Sequence, residues 1–297
     1  MRVFLTGATG QVGRAIAAHL AGRGHLVAGS SRKPHSQEGR GEYVAANLGA
    51  EDFVDRIMEA VHPCEAIIHA AAALSHDLDD PAIAITNCLG TQQILKLAAQ
   101  WGSTQVVYFS SVPVIGRPRY HPIDEEHPVQ PLTAYHASKL FGEHLMAIAE
   151  RSVGKTVTLR LTSPAGSGTP EARILASFVR RALAGQPISI LGRGTRRQNY
   201  VDVRDVALAV EASLLTGANG LYNIAAAESI SNLELARACI EECSSSSAIE
   251  FGPGADPEEG IAWEVSIAKA RRDFGYVPRF TVRDSIRALG YEHSDSK

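Results

Sequence analysis

Short apolar runs alternate with amphipathic stretches over the first 165 residues, and this alternation constrains the fold more than any other feature. A strand followed by a crossover helix and a second parallel strand forms a right-handed unit, so a series of such units predicts a parallel sheet. The predicted strands lie at residues 2–6, 25–29, 42–46, 66–70, 105–110 and 156–161. The predicted helices, which repeat apolar residues at three- and four-residue steps, lie at 12–21, 52–61, 81–100 and 135–151.

The predicted strands are mostly continuous apolar runs, as at residues 65–71 and 106–109. Strands buried on both faces have this composition, so the sequence predicts an α/β fold with a doubly wound parallel sheet between two helical layers. After residue 166 the alternation loosens, and a smaller C-terminal α/β domain is expected. We assign residues 1–165 and roughly 199–228 to the sheet domain, and roughly 166–198 and 229–297 to the smaller domain.

The charge balance excludes several classes of partner. A formal net charge of −3 and a pI near 6.4 provide no general attraction to nucleic acids or anionic membranes, so neither partner is expected. No apolar run reaches the roughly 18 residues that a membrane span requires, and the chain opens on a strand rather than a signal peptide, so we expect a cytoplasmic protein. The cysteines form no CxxC pair and the histidines no HExxH motif, so no metal site is predicted.

A glycine-rich turn stands between the first predicted strand and the first predicted helix. Its glycines are spaced GxxGxxG, which lets the backbone approach a pyrophosphate and directs helix N-terminal amides at it. A tight turn without a ligand is the alternative, but the position between strand and helix favours a Rossmann-type dinucleotide site. The predicted contacts are Gly7, Thr9, Gly10, Gln11, Val12 and Gly13.

The end of the second predicted strand indicates which dinucleotide binds. An NAD enzyme usually carries an acid there for the adenosine ribose, whereas this chain has Ser31, Arg32 and Lys33. A hydroxyl and two cations would attract the 2′-phosphate of NADP, so NADP is favoured over NAD. The alternative is that the cations are solvated, with Arg32 stacked on adenine, and that NAD is the cofactor. Asn47 and Leu48 are expected beside the adenine.

Tyr135 and Lys139 are four residues apart, so on a helix they project from one face, one turn apart. A free tyrosine has a pKa of about 10, and lowering it to about 7 requires about 4 kcal/mol of preferential phenolate stabilisation. A nearby lysine and a cationic nicotinamide can supply this. The YxxxK spacing alone is common, but it occurs here beside a dinucleotide turn. We therefore expect Tyr135 to move a proton, Lys139 to hold the nicotinamide ribose, and Ser111 to hydrogen-bond the reacting oxygen.

These features together resemble the extended short-chain dehydrogenase/reductases, in the NAD-dependent epimerase/dehydratase family that includes UDP-glucose 4-epimerase. The resemblance covers most of the chain. It is carried by the glycine turn and by residues 69–72, 87–91, 109–116, 135–139, 159–160, 200–207 and 269–278. It implies a Rossmann-type fold whose smaller domain binds the substrate.

The resemblance also implies roles for individual residues. Ser111, rather than Ser110, matches the catalytic hydroxyl, and Asn87 matches an asparagine that steadies the active site. A homodimer is implied, formed by the helices that begin near Pro81 and Tyr135. The further dinucleotide contacts that it implies are Ala70, Ala71, Ala72, Asn87, Ser110, Tyr135, Lys139, Thr162, Ser163 and Pro164.

The chain departs from the family pattern where nucleotide sugars are bound. Ile115 replaces a tyrosine that is frequent before Gly116, and Ser163 replaces an asparagine. The family has an arginine for the diphosphate in the segment where this chain has Arg196 and Arg197. These two residues either bind a phosphate or belong to a solvated turn. Residues 251–259 offer acids where a second phosphate contact is expected.

The predicted function is NAD(P)-dependent epimerase, dehydratase or reductase chemistry on a sugar-like hydroxyl or ketone, free or carried on a nucleotide. The alternative is an NADP-dependent ketone or aldehyde reductase with a non-nucleotide substrate. A non-catalytic dinucleotide sensor is a further class, but it would be expected to have lost Tyr135 or Lys139, and both are present.

Overall fold

The computed structural model describes residues 1–32, 42–75 and 77–295. Among these residues the strands are β1 (Arg2–Thr6), β2 (Leu26–Ser31), β3 (Tyr43–Ala45), β4 (Ala66–His69), β5 (Gln105–Ser111), β6 (Lys155–Leu161), β7 (Ser163–Ala165), β8 (Ile188–Ile190), β9 (Arg197–Asp202), β10 (Gly220–Ile224), β11 (Ser229–Ser231) and β12 (Ile249–Phe251). The α-helices are α1 (Gln11–Gly22), α2 (Phe53–Ala60), α3 (Gly90–Trp101), α4 (Ala134–Val153), α5 (Ile174–Leu183), α6 (Val203–Thr216), α7 (Asn232–Glu242), α8 (Ala268–Phe274) and α9 (Val282–Asp295).

Seven strands form one sheet in the order β10-β6-β5-β4-β1-β2-β3, and every neighbouring pair is parallel. The chain enters at β1 in the interior of the sheet, moves outward to β3 and then crosses back to β4 on the other side of β1. This reversal is the switch point at which doubly wound folds bind ligands, beyond the carboxyl ends of the strands. The predicted doubly wound sheet is therefore confirmed, with all six predicted strands in it. The seventh strand, β10, was not predicted, because its short run is interrupted by Asn223.

Helices cover both faces of the sheet because side chains alternate along each strand. Val3 and Leu5 of β1 pack into a core with α1, α6 and α8, whereas Phe4 between them packs into a second core with α2, α3 and α4. Each large apolar side chain that is fully buried in this way contributes about 1.5–3 kcal/mol. The sheet, buried on both faces, thereby supports the loops at its carboxyl edge.

The predicted helix over residues 81–100 differs from a regular α-helix. Its first part, Ile83–Leu89, is a π-helix that continues directly into α3. Apolar periodicity does not distinguish a wide turn of this kind from an α-helical one, because both place apolar residues three to five positions apart.

A smaller α/β region follows, as the sequence predicted. Strands β11, β9 and β7 form one sheet, β12 pairs with β8, and α5, α7 and α9 pack around a core of their own. Helix α7 begins with a capping box: Oγ of Ser231 accepts from the Glu234 amide at 3.1 Å, and the Glu234 carboxylate accepts from the Ser231 amide at 2.8 Å. The boundaries of the two domains stay a prediction. Within the described ranges, no helix is both long and apolar enough to cross a membrane.

Candidate active site

The turn after β1 requires glycine because other backbone segments lie very close to it. Gly7 has a φ of +67°, and its amide donates to the Ser30 carbonyl at 3.1 Å, while the Gly10 amide donates to the Gly7 carbonyl at 2.9 Å. A Cβ on Gly13 would lie 2.1 Å from the Gly7 carbonyl oxygen, and a Cβ on Gly7 would lie 2.8 Å from the backbone of Ala71. Helix α1 and the loop after β4 therefore both pack closely against the turn.

The N-terminus of α1 fits an anionic ligand. Gly10 is the N-cap, no side chain of the described residues caps the helix, and its first turn contains no acid. The first amides of a helix lack intrahelical acceptors and stand at the positive end of its dipole, so they can donate to a phosphate. Gln11 links this turn to the smaller domain, because its Nε2 donates to Oγ1 of Thr169 at 2.8 Å.

A buried histidine connects the turn to the next loop. Oγ1 of Thr6 lies 2.8 Å from Nδ1 of His69, and Nε2 of His69 lies 3.1 Å from Oγ1 of Thr91, which donates to the Asn87 carbonyl. Because the Thr91 hydrogen is used, we assign His69 the tautomer that donates from Nε2 and accepts at Nδ1. Burial, followed by the charge of Lys139, lowers the pKa of His69 to about 3, so it is neutral at physiological pH.

Asn87 holds two segments together. Its Oδ1 accepts from the Ala73 amide at 2.8 Å, and its Nδ2 donates to the Ala73 carbonyl and to Oγ of Ser138 at 3.0 and 2.9 Å. Both hydrogens of the Asn87 side-chain amide donate within the protein. The amide therefore has no free donor for the predicted contact with the dinucleotide. The contacts support the predicted steadying role, because Ser138 lies on α4 between Tyr135 and Lys139.

Tyr135 and Lys139 lie on α4, as predicted, one turn apart. Lys139 is only 3% exposed, and its Nζ donates to the Phe109 carbonyl at 2.8 Å. The same nitrogen lies 4.9 Å from the ring centroid of Tyr108 and 5.8 Å from that of Tyr135. The helix thus places the buried ammonium beside the ring of the half-buried Tyr135.

The pKa of Tyr135 differs from the sequence expectation. Burial raises it to about 12, and the charge of the exposed Arg173 lowers it by less. The expected fall toward 7 depended on Lys139 together with a nicotinamide, and in the protein chain by itself desolvation of the phenolate dominates. Burial also lowers the pKa of Lys139 to about 8, opposed by the charge of Glu143.

The two adjacent serines at the end of β5 point to opposite faces of the sheet. Oγ of Ser110 donates to Oε1 of Glu143 at 2.5 Å, so this side chain is not directed at a dinucleotide. Ser111 is half-buried at the strand end, and its hydroxyl has no hydrogen-bond partner within the described part of the chain. This arrangement supports Ser111 as the available hydroxyl.

The remaining predicted contacts fall into three groups. Thr162 is committed elsewhere, since its Oγ1 donates to Oδ1 of Asn199 at 2.9 Å. The half-buried group that surrounds the switch point and the ends of its strands comprises Gln11, Val12, Ser31, Leu48, Ala70, Ala71, Ala72, Ser163 and Pro164. Thr9, Arg32 and Asn47 are exposed, and Lys33 lies outside the described residues.

A buried ion pair near Lys139 was not predicted from the sequence. Glu143 and Arg160 are both at least nine-tenths buried and form a bidentate contact. The spacing of Glu143 could have indicated it. Tyr135, Lys139 and Glu143 follow one another at four-residue steps, so Glu143 lies on the same helix face as the other two.

The two arginines considered for a diphosphate are both paired with acids. Nη1 of Arg196 lies 2.8 Å from a carboxylate oxygen of Glu258 and 3.6 Å from one of Asp256, and Nη1 of Arg197 lies 3.0 Å from Glu234. Their charges are therefore partly neutralised within the chain.

The chain is similar to known proteins over most of its length. A model of the NAD dependent epimerase/dehydratase family matches residues 3–225. A UDP-glucose 4-epimerase of Mycolicibacterium smegmatis is 28% identical over 306 residues, covering 96% of each chain. A dTDP-glucose 4,6-dehydratase of Streptomyces niveus is 28% identical over 249 residues, covering 82% of this chain and 73% of the relative.

Solved structures share the whole fold. A UDP-glucose 4-epimerase of Thermotoga maritima with UDP-glucose superposes with a TM-score of 0.88 at 21% identity, covering 100% of both chains. A Thermus thermophilus UDP-glucose 4-epimerase in complex with NAD has a TM-score of 0.85 at 25% identity, also covering 100% of both chains. The Rossmann-type fold predicted from the sequence is thereby confirmed.

Proposed function

The chain belongs to the NAD dependent epimerase/dehydratase family, and from this membership we propose that it transfers hydride to and from the sugar ring of a nucleotide sugar. Family membership makes it an enzyme of the extended short-chain dehydrogenase/reductase type. The observation that carries the proposal is the Tyr135–Lys139 pair on α4, with the lysine buried against the tyrosine ring, in a chain whose glycine turn fits a dinucleotide. A sensor would not need a buried lysine against the tyrosine ring.

Several residues of the chain have separate roles in the proposed hydride transfer. A bound nicotinamide dinucleotide supplies the hydride acceptor. The Tyr135 phenolate takes the proton from the substrate hydroxyl as hydride leaves the sugar carbon, and the resulting phenol later returns it. The Lys139 ammonium would favour the phenolate and bind the nicotinamide ribose. Ser111 donates to the reacting oxygen. The pyrophosphate is held by the amides that open α1, where the Gly13 position leaves no room for a side chain.

NAD is the dinucleotide that we propose for turnover. The family is described as NAD dependent, and the Thermus thermophilus relative is named as a complex with NAD. The preference for NADP inferred from Ser31, Arg32 and Lys33 gains no support from these relatives and stays a prediction. Arg32 is exposed at the end of β2, where it can stack on adenine as well as meet a 2′-phosphate. The dinucleotide in a denaturing extract of the purified protein distinguishes the two.

Turnover of nucleotide sugars tests the function directly. The protein with NAD is incubated separately with UDP-glucose and with dTDP-glucose, the sugars in the names of its relatives, and the products are identified by NMR. We expect either an inverted carbon or loss of water, without net consumption of NAD. If the sugars are unchanged while NADPH is consumed with a simple ketone, the chain is instead a reductase with a non-nucleotide substrate.

We also propose a homodimer, through an apolar surface formed by Ile85 and Leu89 of the π-helix and Phe141 and Ile148 of α4. These side chains are 45%, 42%, 40% and 70% exposed. The two helices pack against each other in the chain, so these exposed apolar side chains lie on neighbouring elements. Exposed apolar surface that is contiguous marks an interaction site.

Substituting Ile148→Glu is expected to convert the dimer to a monomer, because a carboxylate would be buried without a partner at the interface. Light scattering after size exclusion measures the change. Ala147→Glu, which adds the same charge at a neighbouring exposed position, is the matched control and should remain dimeric. A monomeric wild type, or a dimeric Ile148→Glu variant, would show that this face is not the interface.

A further inference from the structure

Glu143 is a buried carboxylate with three hydrogen bonds. Its Oε1 accepts from Oγ of Ser110 at 2.5 Å and from Nε of Arg160 at 2.9 Å, and its Oε2 accepts from Nη2 of Arg160 at 2.7 Å. The two donors come from neighbouring strands, since Ser110 of β5 lies directly opposite Arg160 of β6 in the register. The plane and position of the carboxylate are therefore fixed from the sheet.

The carboxylate lies on the helix face that carries the catalytic pair. Tyr135, Lys139 and Glu143 are spaced by four residues on α4, and residues four apart are neighbours on a helix surface. Lys139 forms no ion pair within 4.0 Å with an acid of the described chain, and its hydrogen-bond acceptor is the neutral Phe109 carbonyl. Glu143 is thus the carboxylate whose field acts on the buried ammonium.

Lys139 needs such a field because burial disfavours its charged form. Burial lowers its pKa to about 8, and the charge of Glu143 is the force that opposes this fall. The surrounding elements add no second carboxylate within the described ranges. The titratable groups near Lys139 and Glu143 are Tyr135 on α4 itself and, from the packed elements, His69, Tyr108 and Arg160.

We propose that Glu143, oriented by Arg160 and Ser110, is a positioning residue that keeps Lys139 an ammonium, so that Lys139 can act on Tyr135 and on the nicotinamide ribose. The inference rests on the proposed function only for those two roles. The link between Glu143 and the charge of Lys139 is a property of the chain itself and can be measured without substrate.

The same network separates the two serines of β5. Because the Ser110 hydroxyl is held by Glu143 on the α4 side of the sheet, the end of the strand is anchored there. Ser111, the next residue, therefore points to the opposite face and leaves its hydroxyl unengaged within the described residues. One carboxylate thereby lies near the lysine and contacts the strand end that carries the predicted catalytic hydroxyl.

An NMR titration of the lysines tests the proposal. The chain contains only six lysines, so the ε-carbon signals of isotope-labelled lysine are few, and the signal lost in Lys139→Met identifies Lys139. In the wild type we expect this signal to titrate near the pKa of about 8. In Glu143→Gln, which keeps the side-chain shape, the midpoint should fall by about one pH unit or more.

A matched control separates this effect from general destabilisation. Glu211 is likewise a buried carboxylate, paired with Arg23 and His19, but it lies on α6 against the opposite face of the sheet. Glu211→Gln should leave the Lys139 midpoint unchanged even if it lowers the melting temperature. Should Glu143→Gln fail to fold because Arg160 is left unpaired, the double variant Glu143→Gln/Arg160→Met removes both charges; a smaller fall of the Lys139 midpoint is then expected, because the loss of the Arg160 cation offsets part of the effect.

A folded Glu143→Gln or double variant with the wild-type midpoint would overturn the proposal. The alkaline limb of kcat/KM gives an independent readout, since activity that requires the ammonium should be lost at lower pH in Glu143→Gln. If nucleotide sugars are not substrates, this limb cannot be recorded, whereas the NMR midpoint still decides the role of Glu143. Failure of the proposed function and failure of this inference are therefore distinguishable.

Discussion

Replacing Tyr135 by phenylalanine is expected to lower kcat by about 10²- to 10⁴-fold, the range that a positioned proton-transfer group contributes. The substitution removes only the hydroxyl and keeps the ring beside the Lys139 ammonium, 5.8 Å from its centroid. The dissociation constant for NAD should change little. Steady-state turnover at saturating substrate and calorimetric NAD binding measure the two effects separately.

The matched control is Tyr291→Phe. Tyr291 is 71% exposed on α9, and losing its hydroxyl should leave kcat unchanged. Turnover close to that of the wild type in Tyr135→Phe would remove Tyr135 from the proposed chemistry and leave the chain with a different proton-transfer group.

Substituting Gly13→Ala is expected to weaken NAD binding by about tenfold to a hundredfold. The added Cβ would lie 2.1 Å from the Gly7 carbonyl oxygen and 2.8 Å from its carbon, and both are backbone atoms that cannot rotate away. Overpacking of this kind costs about 1–3 kcal/mol, and each 1.4 kcal/mol is a factor of about ten in affinity. Either α1 moves or the turn opens, and each outcome misdirects the amides that hold the pyrophosphate. Calorimetric titration with NAD measures the loss.

Gly22→Ala on the same helix is the control for Gly13→Ala. A Cβ at Gly22 meets no described atom within 4 Å, so NAD binding should be unaffected and the helix slightly stabilised. Circular dichroism reports whether both variants remain folded. Wild-type affinity in a folded Gly13→Ala variant would contradict the assignment of this turn to the dinucleotide.

Features set by neighbouring residues could be predicted from the sequence. Tyr135 and Lys139 share a helix face because four residues span about one helical turn. The six strands were likewise predicted from local patterns. The short β10 was not, because its pairing with β6 and not its composition makes it a strand.

The hydrogen-bond and ion-pair partners of individual polar side chains could not be predicted in the same way. Ser110 and Thr162 are both similar to dinucleotide contacts in the sequence, yet their hydroxyls donate to Glu143 and Asn199. Arg196 and Arg197 were open candidates for a phosphate, and in the structure both are paired with acids. These partners lie far away along the chain, and no local spacing indicates them.

The sequence by itself therefore determined the order of strands and helices, the glycine turn and the spacing of the catalytic pair, since each depends on residues within a few positions. Only the tertiary structure decided which charges are buried and what compensates them. Burial raises the pKa of Tyr135 and lowers that of Lys139, and Glu143 acts on the lysine from a position fixed by Arg160. The physical reason is that desolvation and the field of a charge depend on distances in space, which the folded chain sets.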